Sequence, residues 1–281
     1  MQIAETISAA RAACRSLRAS GSELGLVPTM GALHQGHLSL VRAAQESCGA
    51  VAASLFVNPR QFGPNEDFSR YPRTYEQDCA LLRSAGVSLL FAPPVEEMYP
   101  TGADTIVEVE RLSNRLDGAS RPGHFRGVAT VVAKLFHILA PHRAYFGQKD
   151  GVQVAVLRKM VRDLNFDLEL VVCPTVRDPD GLAVSSRNRY LSEPQRSQAL
   201  VLSRALRAAE ERVAAGERAA PALLACARRV LAEAPEVRLD YLALVDPDTL
   251  EDVTELRRPA MLAVAAFVGG TRLIDNVLLP P

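Results

Sequence analysis

The sequence predicts an α/β fold: a parallel sheet with helices on both faces over residues 1–175, then a smaller α+β domain over 176–281. Three observations carry that expectation. Strand-like and helix-like stretches alternate through the first two-thirds of the chain. One strand-like stretch, 50–57, is almost continuously apolar, as a strand buried on both faces must be. After Pro174 the alternation gives way to two long helices and three strand-like runs. Ligands of such a sheet sit at the carboxyl ends of its strands.

Each element has its own reason. Residues 25–30 read as a strand and 37–48 as a helix, with Leu38, Val41, Ala44 and Cys48 on one face. The strand over 50–57 ends in a loop over 58–73 rich in Pro, Asn, Gly and charge. A helix over 75–85, a strand over 87–92 and a helix over 128–139 follow. A strand over 143–146 runs into Gly147-Gln148-Lys149-Asp150, then come a helix over 152–164 and a strand over 168–173. The C-terminal domain begins near 174–180, with helices over 194–214 and 221–234 and strands over 238–245, 261–268 and 271–278. Its Ala/Arg/Glu-rich helices read as solvated amphipathic helices.

Composition removes several classes of function. Basic and acidic residues both number 32 in 281, so no polyanionic partner such as nucleic acid is expected. Five scattered cysteines, none in a Cys-x-x-Cys pair, argue against a disulfide framework or a zinc site and fit a reducing cytoplasm. Residues 1–13 do not read as a signal peptide, and no apolar run approaches the ~20 residues of a membrane span.

The richest motif is Pro28-Thr29-Met30-Gly31-Ala32-Leu33-His34-Gln35-Gly36-His37, between a strand and a helix. Helix starts gather unpaired N–H groups and the positive end of the helix dipole, which suits phosphate. His34 and His37 can donate to phosphoryl oxygens, and Gly36 leaves the backbone approachable. Asn58 and Gln61, emerging after the buried strand, offer uncharged amides for hydroxyls and a carboxylate. Arg121, in a Gly/Pro-rich loop, can clamp an anion. At the next strand end Gly147 permits close approach, Lys149 supplies a point charge, and Asp150 suits a ribose hydroxyl or magnesium; Gln153 lies one turn further on. Val184-Ser185-Ser186-Arg187-Asn188 can fold over a triphosphate. His137 and His142 read as structural. No arrangement for covalent catalysis or for a protein-held transition metal presents itself. What remains is positioning and electrostatics, most of what nucleotidyl transfer asks of a protein.

Together these segments resemble the pantoate–β-alanine ligases (pantothenate synthetases), within the His-x-Gly-His nucleotidyltransferase superfamily, over essentially the whole chain. His-x-Gly-His alone places only the superfamily. Pro-Thr-Met-Gly-Ala-Leu-His joined to Val57-Asn58-Pro59-Arg60-Gln61-Phe62-Gly63 is far more specific. The resemblance implies a Rossmann-like nucleotide- and pantoate-binding domain with a C-terminal lid. It implies a two-step reaction: pantoate attacks the α-phosphorus of ATP, and β-alanine then displaces AMP from pantoyl adenylate. On the matching positions, His34 and His37 would stabilise the α-phosphoryl transition state, His37 as proton donor, with Lys149, Ser185 and Arg187 completing the catalytic set. Met30, Gly31, Ala32, Leu33, Gln35, Gly36, Gly147, Gln148, Asp150, Val176, Val184 and Ser186 would complete the nucleotide site. Gln61, Gln153, Asn58 and Arg121 would serve pantoate and β-alanine. Magnesium would arrive with ATP, no metal being held by the protein alone, and the enzyme would be a homodimer through its N-terminal domain.

The chain departs from the family pattern at a few positions. Gln35 and Gln148 stand where Glu is frequent, Gly151-Val152 where an aromatic residue and Gln are expected, and Val184 where Met is expected. Two other readings remain open on the residues alone. One is a nucleotidyltransferase for a phosphorylated alcohol, which would call for more basic residues in the acceptor segment; the other is a catalytically silent nucleotide-binding module.

Overall fold

The structure, a computed structural model, describes residues 1–19, 21–64 and 66–281. Residue 65, inside the loop expected over 58–73, lies outside that set. The chain runs β1 (Gln2–Ala4), α1 (Ile7–Ala19), β2 (Leu24–Thr29), α2 (Gln35–Ser47), β3 (Ala50–Leu55), α3 (Tyr75–Ser84), β4 (Leu89–Phe91), α4 (Val95–Met98) and α5 (Asp117–Ser120). It continues through α6 (His124–Leu139), β5 (Arg143–Gly147), α7 (Gly151–Asp163) and β6 (Glu169–Cys173). Then follow α8 (Glu193–Ala214), α9 (Ala220–Leu231), β7 (Val237–Val245), β8 (Ala260–Val268) and β9 (Thr271–Leu279).

Among the described residues the first six strands form one parallel sheet in the order β1-β4-β3-β2-β5-β6. Alternation along each strand shows why both faces must be covered. Leu24, Leu26, Ala50, Ala52, Leu89 and Phe91 pack with α1, α6 and α7. Val27, Val51, Ala53 and Leu90, of opposite parity, pack with α2 and α3. Helix α6 buries 12 of its 16 residues, which makes it a core helix rather than a surface one. The chain moves outward from β2 to β3 and β4, then returns to lay β5 on the other side of β2. That reversal opens a crevice at the carboxyl ends of β2 and β5.

The antiparallel sheet β7-β8-β9 packs against α8 and α9. Its central strand is buried on both faces: Leu262, Val264 and Ala266 meet α8 and α9, while Met261 and Ala263 join the core of the parallel sheet. Polar contacts tie the sheets together. Asp275, almost wholly buried, takes a forked ion pair from Arg177 at 2.6 and 3.0 Å. Arg272 lies 2.7 Å from both Asp117 and Asp240, and Tyr241 donates to Asp117.

Several boundaries differ from the sequence reading. Helix α2 begins at Gln35, two residues early, so His37 sits in its first turn. Helix α6 begins at His124, four residues early, because Gly123 at φ +81° turns the chain directly into it. Strand β3 stops at Leu55, where the chain bends toward a single turn over Pro59–Gln61. Elements β1, α1, α4 and α5 are additional. Helix α1 buries only Ala10, Ala13 and Cys14, small residues that leave a faint apolar stripe.

Candidate active site

A cavity of about 230 Å³ lies at the carboxyl ends of the strands and shares Lys149, Asp150, Gln153, Arg121 and Arg187 with a wider cleft of about 660 Å³. The wider cleft reaches toward β9. Met30, His34, Gly36 and His37 line the smaller cavity from the turn after β2. Asn58 and Gln61 line it from the turn after β3, and Gly147, Lys149, Asp150 and Gln153 from the start of α7. Val176, Val184, Ser185, Ser186 and Arg187 close the remaining side. Segments far apart in sequence thus meet in one place. Gly31, Ala32, Leu33, Gln35 and Gln148 do not line this cavity.

The turn after β2 is held by a carboxylate that the motif does not contain. Asp78, in the first turn of α3 and 1% exposed, accepts from the Ala32 and Leu33 N–H groups at 2.9 and 2.8 Å. Those two donors are therefore committed to the protein. Gly36 also has a local role: a Cβ there would stand 3.0 Å from the His34 ring, which would have to shift to admit it. The two imidazoles lie 4.0 Å apart, centroid to centroid. His37 Nδ1 accepts from the His34 N–H at 3.3 Å, so its remaining proton resides on Nε2. His34 Nδ1 is buried and without a hydrogen-bond partner among the described residues.

Both imidazoles are neutral at pH 7. Burial, the His34 ring and the Lys149 ammonium bring His37 down to about 3. Burial and Lys149 bring His34 down to about 4, against the pull of Asp150. Such groups donate hydrogen bonds without adding charge.

Asn58 is saturated by the protein. Its Nδ2 donates to Gln61 Oε1 at 3.0 Å and to the Gly127 carbonyl at 3.1 Å, while its Oδ1 accepts from Tyr99 and from the Arg60 N–H. Among the described residues Gln61 Nε2 donates to the thioether of Met30, a weak acceptor readily exchanged for an oxygen. Arg60 turns away to stack on Tyr99, 4.2 Å from the ring centre. His124 braces this turn: its Nδ1–H donates to the Gln61 carbonyl at 2.8 Å, and its Nε2 accepts from Arg121 at 3.0 Å. Burial and Arg121 bring His124 down to about 4.

Neither cavity arginine is unpaired. Arg121 forks onto Glu66, both bonds at 2.7 Å, and Arg187 onto Asp67 at 3.1 and 3.0 Å. Burial pushes both carboxyls up, but the paired guanidiniums outweigh it and hold them below the usual range. Ser185 Oγ caps the short turn over Ser186–Tyr190 by accepting from the Arg187 N–H at 3.3 Å. The Val176 carbonyl accepts from the Val184 N–H at 2.9 Å. A Cβ on Gly147 would meet open space, whereas one on Gly151 would stand 2.4 Å from the Met261 sulfur. A side chain at 151 would thus make the Met261 thioether of β8 shift.

Sequence reasoning missed Asp78, His124, Glu66 and Asp67. Asp78 looks like any acidic residue in a first helical turn, and Glu66 and Asp67 like loop solvation. His124 opens α6 three residues after Arg121, a proximity that could have marked it. Among the described residues no group of three His, Cys, Asp or Glu converges to hold a metal ion, and no helix is long and apolar enough to cross a membrane.

The family model described as pantoate-beta-alanine ligase matches residues 2–278. A pantothenate synthetase of Acidobacterium capsulatum is 66% identical, with 99% of this chain and 97% of that protein aligned. One from Koribacter versatilis is 58% identical over 99% and 96%. The crystal structure of pantothenate synthetase from Thermus thermophilus superposes with a TM-score of 0.95 at 51% identity, covering both chains completely. Pantoate-beta-alanine ligase from Francisella tularensis, complexed with beta-gamma ATP and beta-alanine, gives 0.81 at 35% identity over 99% and 97%. The parallel crevice, the paired imidazoles and these likenesses together make the chain a member of the pantoate–β-alanine ligase family.

Proposed function

We propose that the chain condenses pantoate with β-alanine at the expense of MgATP, through pantoyl adenylate. The observation that carries this reading is one cavity joining two neutral imidazoles and Lys149 to the uncharged amides of Gln61 and Gln153. A pantoate carboxylate oxygen bonds to the α-phosphorus while the bond to the β-phosphate oxygen breaks, releasing pyrophosphate. The His37 Nε2–H and the His34 ring hydrogen-bond the α-phosphoryl oxygens, and Lys149 offsets the growing negative charge. In the empty site burial keeps the His37 ring neutral, so it meets the phosphate as a hydrogen-bond donor through Nε2–H. Gln61 and Gln153 hold pantoate, Asn58 orients Gln61, and Asp150 takes the ribose. Val176 and Val184 pack the base, while Met30, Gly36 and Gly147 line the nucleotide path. The β-alanine nitrogen then attacks the acyl carbon, the bond to AMP breaks, and the amine sheds its proton. No enzyme nucleophile is needed, because AMP is itself the leaving group.

Ser185, Ser186 and Arg187 close over the triphosphate, and Arg121 flanks the acceptor. For both arginines the substrate anion has to displace a resident carboxylate, Asp67 or Glu66. Gly31, Ala32, Leu33 and Gln35 shape the imidazole turn, and Gln148 the lysine turn. Residues 1–175 form the binding domain and 176–281 its lid. The enzyme works as a homodimer in the cytoplasm, with magnesium entering as part of the nucleotide substrate.

The test is pyrophosphate release from MgATP and pantoate, with and without β-alanine. A burst near one equivalent of sites with pantoate alone, followed by sustained AMP and pantothenate once β-alanine is added, is the expected result. Absence of pantoate-dependent pyrophosphate would refute the assignment of the acceptor.

A further inference from the structure

Lys149 is held from behind by the other sheet. Asn276, on β9 and 5% exposed, donates from Nδ2 to the carbonyls of Gln148 and Lys149 at 2.8 and 2.9 Å. Its Oδ1 accepts from Gln148 Nε2 at 2.8 Å. Two carbonyls can only accept, so the NH₂ end of the amide must face them, and Gln148 fixes the opposite end. The Gln148 carbonyl belongs to the peptide plane before the Lys149 Cα and the Lys149 carbonyl to the plane after it. One side chain thus pins both planes and sets the direction in which the lysine leaves the backbone. Both carbonyls lie in the single 3₁₀ turn over Gln148–Asp150 that leads into α7, ahead of the regular i→i+4 ladder. Gly151 leaves room for the approach: a Cβ there would stand 3.1 Å from Asn276 Nδ2 and 2.4 Å from the Met261 sulfur, so those side chains would have to give way.

We infer that Asn276 is a positioning residue for the phosphate-handling lysine, so that β9 of the C-terminal sheet forms part of the nucleotide site. The inference rests on the role proposed above for Lys149.

A double-mutant cycle tests it, read as pantoate-dependent pyrophosphate release. Asn276→Ala is expected to slow release about 10- to 100-fold, the scale of an ångström-sized misplacement. In a Lys149→Ala background the same change should alter the residual rate less than about 2-fold, since both act through one group. Effects that multiply, or an Asn276→Ala enzyme at the wild-type rate, would overturn the inference. A Lys149→Ala enzyme at the wild-type rate would instead overturn the role given to the lysine. Asn276→Asp keeps the size and the bond from Gln148 but turns an acceptor toward the two carbonyls. In a folded N276D protein, ATP should no longer protect Lys149 from an amine-reactive reagent, read by peptide mass. Protection equal to wild type in N276D would mean that Asn276 serves stability alone and would also overturn the inference.

Discussion

Replacing Gly127 by alanine sets two opposing effects against each other. Within a helix, Gly→Ala ordinarily stabilises by ~1 kcal/mol. Gly127 lies inside α6, yet a Cβ there would stand 2.2 Å from the Arg60 carbonyl oxygen and 2.6 Å from the Gln61 Cα. Carbon–oxygen contacts run at about 3.3–3.6 Å, so the turn over Pro59–Gln61 must retreat by roughly 1 Å. The obstacle is backbone, which no rotamer change can clear. The turn is also bonded to α6 through Asn58 and His124, and those bonds lengthen as it retreats. Overpacking costs about 1–3 kcal/mol and here belongs at the upper end, which leaves a net loss of about 2 kcal/mol. At ~2–4 °C per kcal/mol for a chain of this size, Tm should fall by about 4–8 °C. Because Gln61 rides on the moving turn, kcat/KM for pantoate should drop about 100-fold while the KM for ATP changes little. Thermal melts and initial rates with each substrate varied provide the readout. A Gly127→Ala protein that melts at or above wild type with an unchanged pantoate kcat/KM would refute the reasoning.

His37→Ala should lower turnover by ~10²–10³ with a modest change in ATP KM, because its bond strengthens in the transition state; near-normal turnover would remove it from the mechanism. Three imidazoles are held neutral in the fold, at about 4 for His34, 3 for His37 and 4 for His124. Below about 6.5 the unfolded chain takes up protons that the folded protein refuses, so their contribution is complete above that pH and is lost on the way down toward pH 4. Tm should therefore fall by roughly 5 °C or more between pH 7 and pH 5, and a flat or rising profile would contradict the burial assigned to these rings. Asp67→Asn removes the charge that ATP must displace from Arg187, so the KM for ATP should fall about 2- to 5-fold, the worth of weakening a partly exposed ion pair. A higher KM in steady-state kinetics would show that Asp67 organises the site instead of competing for it.

Much of this architecture is legible in the chain. Apolar runs such as 50–55 declare strands buried on both faces, and the segments that bear His34, Asn58 and Lys149 follow strands of the parallel sheet. What the sequence hides is the set of polar groups that hold those segments still. Asp78 reaches 45 residues back to Leu33, His124 reaches 63 residues back to Gln61, and Asn276 reaches 127 residues to Lys149. Their partners are backbone atoms, which carry no residue identity, so no spacing rule could announce them. Gly36 is legible as a motif residue that leaves the backbone approachable, but its contact with His34 is not. The space it leaves is filled by the His34 ring, a fact of packing alone.

The two-sided burial of β8 has a further consequence for handling the protein. Its nine residues, Ala-Met-Leu-Ala-Val-Ala-Ala-Phe-Val, carry no charge and no proline, a composition that self-associates through β-pairing when exposed. In the native fold β7 and β9 occupy both of its edges, and Arg257, Arg258 and Pro259 stand immediately upstream as gatekeepers. Heating releases that segment into the unfolded ensemble, where the gatekeepers flank only one end. Thermal unfolding should then end in aggregates, with apparent melting temperatures that rise with scan rate and refolding yields that fall as protein concentration rises.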